Sequence, residues 1–360
     1  MLSISEQEER KTGKELYSYQ KGAIQKIFKC FETAKDDYHL LYQLPTGGGK
    51  TVIFSEIVSQ YLKTHKKKVL VMTHRIELCK QTSSVLTEFG VQNKVIDSKA
   101  NLEDQSEFQC FVAMVETLNN RLKDDKLDIS DIGLVIIDEA HYNSFTKLFK
   151  FFEKSFILGV TATPLSSNIE LPMTDNYNEL IVGESIESLI ENEFLAQANM
   201  YSYNVGLTSL VVGANGDYTV KSSEDLYTNN EMLSKLMEAY KERCDGKKTL
   251  IFNNGINTSL FVYDLFRSAG YQVAHLDNTA SKKERTQILE WFKKTPNAIL
   301  TSVSILTTGF DEPTVESIIL NRATKSLTLY YQMIGRGSRI LKNKNSFDVI
   351  DLGNNFHRFG

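Results

Sequence analysis

Residues 44–51, LPTGGGKT, constrain this chain more than any other stretch. They follow the apolar run Leu40–Tyr42 and precede a segment of helical pattern from Val52 to Leu62, which puts them on a strand-to-helix turn. Gly47 and Gly49 lack a Cβ, so the backbone can turn tightly and aim its N–H groups at a phosphate chain. The positive end of the following helix adds to that attraction. Lys50 would reach the outer phosphates, and the Thr51 hydroxyl would complete the shell of a Mg²⁺ ion. The strict phosphate-loop pattern has a glycine where Leu44 stands, so the chain carries the shorter T-G-x-G-K-T form, Thr46, Gly47, Gly48, Gly49, Lys50 and Thr51.

A second feature agrees with the first. The apolar run Ile132–Ile137 reads as a buried strand and empties into Asp138-Glu139-Ala140-His141. Ligands of parallel sheets sit at the carboxyl ends of strands. There Asp138 suits the shell of a Mg²⁺ ion, and Glu139 suits a group that orients or deprotonates an attacking water.

Between and around these sites, strand and helix patterns alternate. KKVLVMT (67–73) reads as a strand that runs into His74-Arg75 and a helix to about Phe89. FQCFVAMV (108–115) leads into Glu116-Thr117, and FILGV (156–160) ends in Thr161-Ala162-Thr163. Upstream, apolar residues at helical spacing from Tyr17 to Phe31 predict an amphipathic helix whose first turn holds Gln20, a carboxamide able to read an adenine edge. Residues 1–15 are charged and read as loose, and 165–230 are polar and Asn-rich. The latter stretch reads as an interdomain connection with peripheral strands in its short apolar runs, Glu179–Val182 and Leu207–Val212. A second α/β pattern begins at KTLIFNN (248–254). It continues through a helix to about Ala269, a strand at 272–276, a helix over 281–294 and strands at 298–303, 317–320 and 347–352. Ile288, Leu289, Trp291 and Phe292 have the spacing of core contacts, which makes the single tryptophan a packing residue rather than a base-stacking platform. These patterns predict two tandem doubly wound parallel-sheet domains, 1–192 and 193–360.

Bulk properties narrow the class. At 360 residues, 41% hydrophobic and 24% charged, the chain has an ordinary globular composition and length for two domains. A formal charge of −4 excludes a generally basic coat, so a nucleic-acid site has to be a local groove. The lysine run at 65–68, HKKK, reads as a solvated turn. Cys30, Cys79, Cys110 and Cys244 form no C-x-x-C pair. With no apolar run of membrane-span length and no leader pattern at the N-terminus, the expectation is a cytoplasmic protein without a membrane partner. The chain stops at Gly360 soon after its final strand, an ending that suggests a further C-terminal region or a protein partner.

In this order the motifs resemble those of superfamily-2 DEAD/DEAH-box helicases and translocases, from about Tyr17 onward, and the look is nearest the RadD-like and excision-repair DNA-repair branch. The resemblance implies two RecA-like domains that clamp ATP between them and hold a nucleic-acid strand across their tops. It gives Gln20 the adenine, residues 46–51 the phosphates, and Asp138-Glu139-Ala140-His141 the DEAH box, with His141, Thr161 and Thr163 in coupling. Thr73, His74 and Arg75, with Thr117, resemble strand-binding motifs. In the second domain Thr307 and Thr308 would touch nucleic acid, and Gly309 and Asp311 the nucleotide. Gln332, Arg336 and Arg339 match Q-x-x-G-R-x-x-R. Two arginines three residues apart on a helix through 332–339 would present one face to the γ-phosphate. The expected activity is ATP-driven translocation on nucleic acid, DNA favoured over RNA. Alternatives are a nucleotide-switched clamp and the motor subunit of a restriction or nuclease complex.

Overall fold

The computed structural model describes residues 15–34, 38–97, 107–123, 130–166, 172–214, 216–303, 306, 310 and 312–360. Almost all of the N-terminal stretch read as loose, residues 1–14, lies outside them. The chain divides into two compact units, Met1–Ser185 and Ile186–Gly360.

The first unit is built from α1 (Ser18–Thr33), β1 (His39–Gln43), α2 (Lys50–Thr64), β2 (Lys68–Thr73), α3 (Ile76–Glu88), β3 (Asn93–Ile96), β4 (Cys110–Met114), α4 (Val115–Lys123), β5 (Ile132–Asp138), β6 (Phe156–Thr161) and β7 (Glu179–Val182). Its seven strands are all parallel, in the order β3-β4-β2-β5-β6-β1-β7. All seven residues of β5 are buried, because a parallel sheet is covered on both faces and leaves no polar side for alternation. The order brings the carboxyl ends of β5, β6 and β1 side by side, and those of β4 and β2 next to them. Glu179–Val182, read as a peripheral strand, is the edge strand β7.

The second unit contains α5 (Ile186–Glu191), β8 (Gln197–Ser202), α6 (Val220–Tyr227), α7 (Asn230–Arg243), β9 (Thr249–Asn253), α8 (Ile256–Ser268), β10 (Val273–Leu276), α9 (Lys282–Lys294), β11 (Ile299–Val303), β12 (Ser317–Asn321), α10 (Leu327–Ile334), β13 (Ser346–Asp351) and α11 (Asn355–Phe359). Its parallel sheet runs β10-β11-β9-β12-β13-β8. Successive strand residues feed opposite cores. Leu250, Phe252, Ile318 and Leu320 pack with Phe292 of α9 and Met333 of α10. Ile251 and Ile319 pack with Leu236 of α7 and Val262 and Phe266 of α8. Phe292 is fully buried, and Ile288, Leu289 and Trp291 pack against the same cluster, as their spacing predicts.

The polar stretch 165–230 is more structured than its composition suggests. It supplies the edge strand β8 and the helix α6, whose N-terminus is capped by Thr219 accepting from Ser222 N. Leu207–Val212 is not a strand. It runs through a turn into a single antiparallel bridge, Val212 to Tyr218. No helix among the described residues is long and apolar enough to cross a membrane.

Candidate nucleotide site and motif segments

The phosphate loop leaves β1 and enters α2 at Lys50. Gly47 and Gly49 have φ of 94° and 85°, a region that L side chains avoid. A Cβ on Gly48 would come within 2.8 Å of the Leu44 side chain, and one on Gly49 within 2.6 Å of Gln20 Nε2. The loop is thus pressed onto α1, where Tyr19 Oη donates to Gly48 O at 2.7 Å. Gln20 is 3% exposed. Its Oε1 accepts from Tyr17 N at 3.0 Å, and Nε2 stands 3.4 Å from Tyr19 Oη. Gln20 therefore braces the loop whatever else it reads. Tyr19, which the sequence did not single out, acts with it; its place beside Gln20 in Y-S-Y-Q was the available signal.

Lys50 folds back so that Nζ donates to Leu44 O at 3.2 Å. Its charge is felt by Asp138 and His141 at the adjacent strand end. Asp138 is buried, and burial followed by repulsion from Glu139 raises its pKa, against the opposing effect of Lys50. Glu139 sits at φ 54°, a left-handed backbone costing about 1 kcal/mol or more in a residue with a side chain. Two bonds hold it there: Glu139 N to Asp138 Oδ1 at 3.0 Å, and Ala140 N to Val160 O at 2.9 Å.

His141 joins this edge to the end of β6. Thr161 Oγ1 donates its one proton to Thr163 O at 2.9 Å, so the 3.0 Å contact with His141 places the imidazole proton on Nδ1. The same Nδ1 lies 3.4 Å from Glu139 Oε2. Burial holds the His141 pKa below the usual histidine range, with Glu139 opposing and Lys50 assisting. Gln43 Nε2 donates to Ala162 O at 3.2 Å, and Leu44 N to Thr161 O at 2.9 Å. Phosphate loop, acidic strand end and Thr161–Thr163 therefore form one bonded edge. Thr46 Oγ1, Glu139 Oε2 and His141 Nε2 are buried there without a hydrogen-bond partner. Loop amides, an ammonium and a carboxylate held without a close counter-ion fit a polyphosphate with a divalent cation, which Asp138 and Thr51 would hold.

At the end of β2, Thr73 is fully buried and donates to Arg75 O at 3.1 Å, so its hydroxyl shapes the turn. Arg75 is the N-cap residue of α3, and Thr117 lies in the first turn of α4 at the neighbouring strand end. His74 has both ring nitrogens buried without a partner, and burial, then Arg75, push its pKa down to about 4. Tyr142 was not anticipated. Its ring lies 4.3 Å from that of His74 and 4.3 Å from that of His141, joining the two segments.

In the second unit, Thr307, Thr308, Gly309 and Asp311 lie outside the described residues. Gln332 is 3% exposed on α10, with Nε2 unpartnered. The expectation that Arg336 and Arg339 share a helix face is corrected. Helix α10 ends at Ile334, and tightened turns follow, Arg336 N to Met333 O at 3.2 Å and Gly337 N to Ile334 O at 2.9 Å. Gly335 and Gly337 weaken the helix at this point, and the Ser338 hydroxyl competes for Gly335 O at 2.9 Å. The two arginines are thus oriented separately, and Arg336 Nη1 donates to Phe310 O.

Residues 13–166 match the family model for the type III restriction enzyme, res subunit, and residues 229–341 match the helicase conserved C-terminal domain. The chain is 29% identical over 330 residues to "Putative ATP-dependent helicase IRC3" of Saccharomyces cerevisiae, covering 86% of this chain and 47% of that protein. It is 23% identical over 388 residues to the type I restriction enzyme EcoAI endonuclease subunit of Escherichia coli, covering 95% and 46%. The chain thus spans about half the length of these two relatives. Among solved structures, the ATP-dependent type ISP restriction-modification enzyme LlaBIII bound to DNA superposes with a TM-score of 0.72 at 18% identity, over 95% of this chain and 28% of that one. The structural neighbours have the RecA-like fold.

Proposed function

We propose that the chain, which matches the type III restriction res-subunit and helicase C-terminal models, is a superfamily-2 helicase-like, ATP-driven translocase on nucleic acid, DNA in preference to RNA. The observation that carries this reading is the single bonded edge of the first domain, where Lys50, Asp138 and Glu139 meet the Thr161–Thr163 segment and the ring of Tyr142 reaches His74. Loop amides and Lys50 bind and orient the phosphates. Mg²⁺, when bound, supplies charge neutralisation there, with Thr51 and Asp138 as its protein ligands. Glu139 orients a water and accepts its proton, and the family resemblance gives Arg339, with Arg336 and Gln332, the charge that develops as the γ-phosphate leaves. Grip on the strand falls to Arg75, to Thr117 and to backbone N–H groups around them, with Thr307 and Thr308 as the second grip. Contacts of that kind read phosphate rather than base, so binding should be salt-dependent and nearly blind to sequence.

ATP turnover measured without polymer and with single-stranded DNA, duplex DNA and RNA tests the track. Displacement of streptavidin from either end of a DNA tests movement, with a 3′-to-5′ bias expected from the family resemblance. DNA should stimulate more than RNA and the block should be displaced. Stimulation without displacement on any substrate would leave a nucleotide-switched clamp. A second reading, the motor subunit of a restriction or nuclease complex, is favoured by the restriction-subunit relatives. Purification of the natural complex with a nuclease would select it.

A further inference from the structure

Lys344 has no counterpart in the motif reading, yet its ammonium lies under the segment that carries Arg339. The residue closes a tight turn, with Leu341 N bonded to Lys344 O at 3.1 Å and Lys344 N to Leu341 O at 2.9 Å, which sends its side chain back beneath residues 337–339. Nζ donates to Gly337 O at 2.6 Å, to Arg339 O at 2.8 Å and to Pro313 O at 3.1 Å. An ammonium has three protons, and all three are engaged. Charged donors to carbonyls are about twice as strong as neutral ones. Arg339 is near enough that, after burial, it is the next cause pushing the Lys344 pKa down to about 8.

The stretch from Gly335 to Ile340 has no helical ladder to set its course. Other contacts fix part of it: Gly337 lies on the Phe347 ring with no room for a Cβ, Arg336 holds Phe310 O, Ala196 N donates to Ser338 O at 2.9 Å and Ile340 packs against the core. The Arg339 carbonyl is held by Lys344, which fixes the peptide plane that follows the Cα bearing the guanidinium side chain. Pro313 O ties the same cation to the segment after 307–311.

We infer that Lys344 is a positioning residue for Arg339, a three-carbonyl clamp that aims the arginine and ties Pro313 to the 337–339 segment. The inference rests on the proposal that Arg339 acts on the nucleotide. Misplacing a reacting group by about 1 Å costs on the order of 10²-fold in rate. Polymer-stimulated ATP turnover is measured for the full chain, for Lys344→Met, Lys344→Arg and Arg339→Ala, and for both Lys344 variants combined with Arg339→Ala, with thermal unfolding of each. Lys344→Met removes every donor. Lys344→Arg keeps the charge, and so the fold, but its planar fork cannot converge on three carbonyls. The expected result is a kcat lowered about 10- to 100-fold by Lys344→Met and less by Lys344→Arg, with KM for ATP changed less than about threefold. In the Arg339→Ala background neither substitution should lower kcat further. A Lys344→Arg or folded Lys344→Met protein with parental kcat, beside an impaired Arg339→Ala, overturns the clamp alone. So does a loss that multiplies with that of Arg339→Ala. Parental turnover in Arg339→Ala itself overturns the underlying role of the arginine, and the clamp with it.

Discussion

The two sheets share an all-parallel architecture, but their carboxyl edges are finished in different ways. In the first, charged groups crowd together: Lys50, Asp138 and Glu139, with buried Thr46 Oγ1, Glu139 Oε2 and His141 Nε2 left without partners. In the second, the strand ends bond chiefly to one another. Asn253 Nδ2 donates to Thr301 Oγ1 and Asn321 Nδ2 to Asn253 Oδ1, both at 2.8 Å. Ser259 Oγ meets both Thr301 Oγ1 and His275 Nδ1 at 2.8 Å, and His275 Nε2 meets Asp277 Oδ2 at 3.0 Å. Asp351 accepts from Gly353 N, Asn355 Nδ2 and Phe356 N. Among the described residues at that edge, Asn321 Oδ1, Ser302 Oγ and Arg322 Nε lack a partner. An unpaired buried polar group is costly and a paired one stiffens the fold. Among the described residues, the first edge gathers charged groups and unpartnered buried atoms, and the second is bonded mainly within itself.

The comparison breaks most readily at Lys50. Lys50→Ala should abolish ATP hydrolysis to background while leaving thermal unfolding where it was, because Nζ bonds to a backbone carbonyl rather than filling a core position. Turnover near the parent rate would remove the loop from the chemistry. Glu139→Gln keeps the shape and most of the hydrogen bonding but loses the base. Turnover should fall about 10²- to 10⁴-fold with Mg·ATP affinity retained. Were the affinity to collapse instead, Glu139 would be holding the cation or the strand end.

The opposite behaviour is expected of the second edge. Asp351 is fully buried, and Asp351→Ala would strand three donors at a cost of about 2–4 kcal/mol. That lowers Tm by roughly 5–15 °C, with ATP affinity unchanged in protein that remains folded. An unaltered melting curve would show that the second edge is not the closed structural network it resembles.

Local chemistry made much of this legible in advance. Apolar runs such as 132–137 announced strands buried on both faces, and the glycines at 47 and 49 announced a turn that only positive φ can make. Composition misled where polar residues still form capped, packed helices. Within 165–230, read as a connection, Thr219 caps α6 by accepting from Ser222 N. Just beyond it α7, which the sequence reading did not single out, has Met232, Leu236, Ala239 and Tyr240 at helical spacing behind the Asn229 cap. The Arg336–Arg339 pair misled for the reverse reason. A spacing of three suits a helix face, but Gly335 and Gly337 end the helix before either arginine.

What the sequence alone determined is the set of local elements, their order and the residue types at their ends, since side-chain periodicity and turn conformation depend on near neighbours in the chain. Tertiary structure decided which ends meet. That β1 lies beside β6, and β6 beside β5, is what brings Lys50, Thr161 and Asp138 to one edge, and no spacing between residues 50, 138 and 161 encodes it. The ring contact of Tyr142 with His74 and the bond from Lys344 to Pro313 O are of the same kind. They join segments distant in sequence through single side chains, and a contact of that sort leaves no periodic mark on the chain.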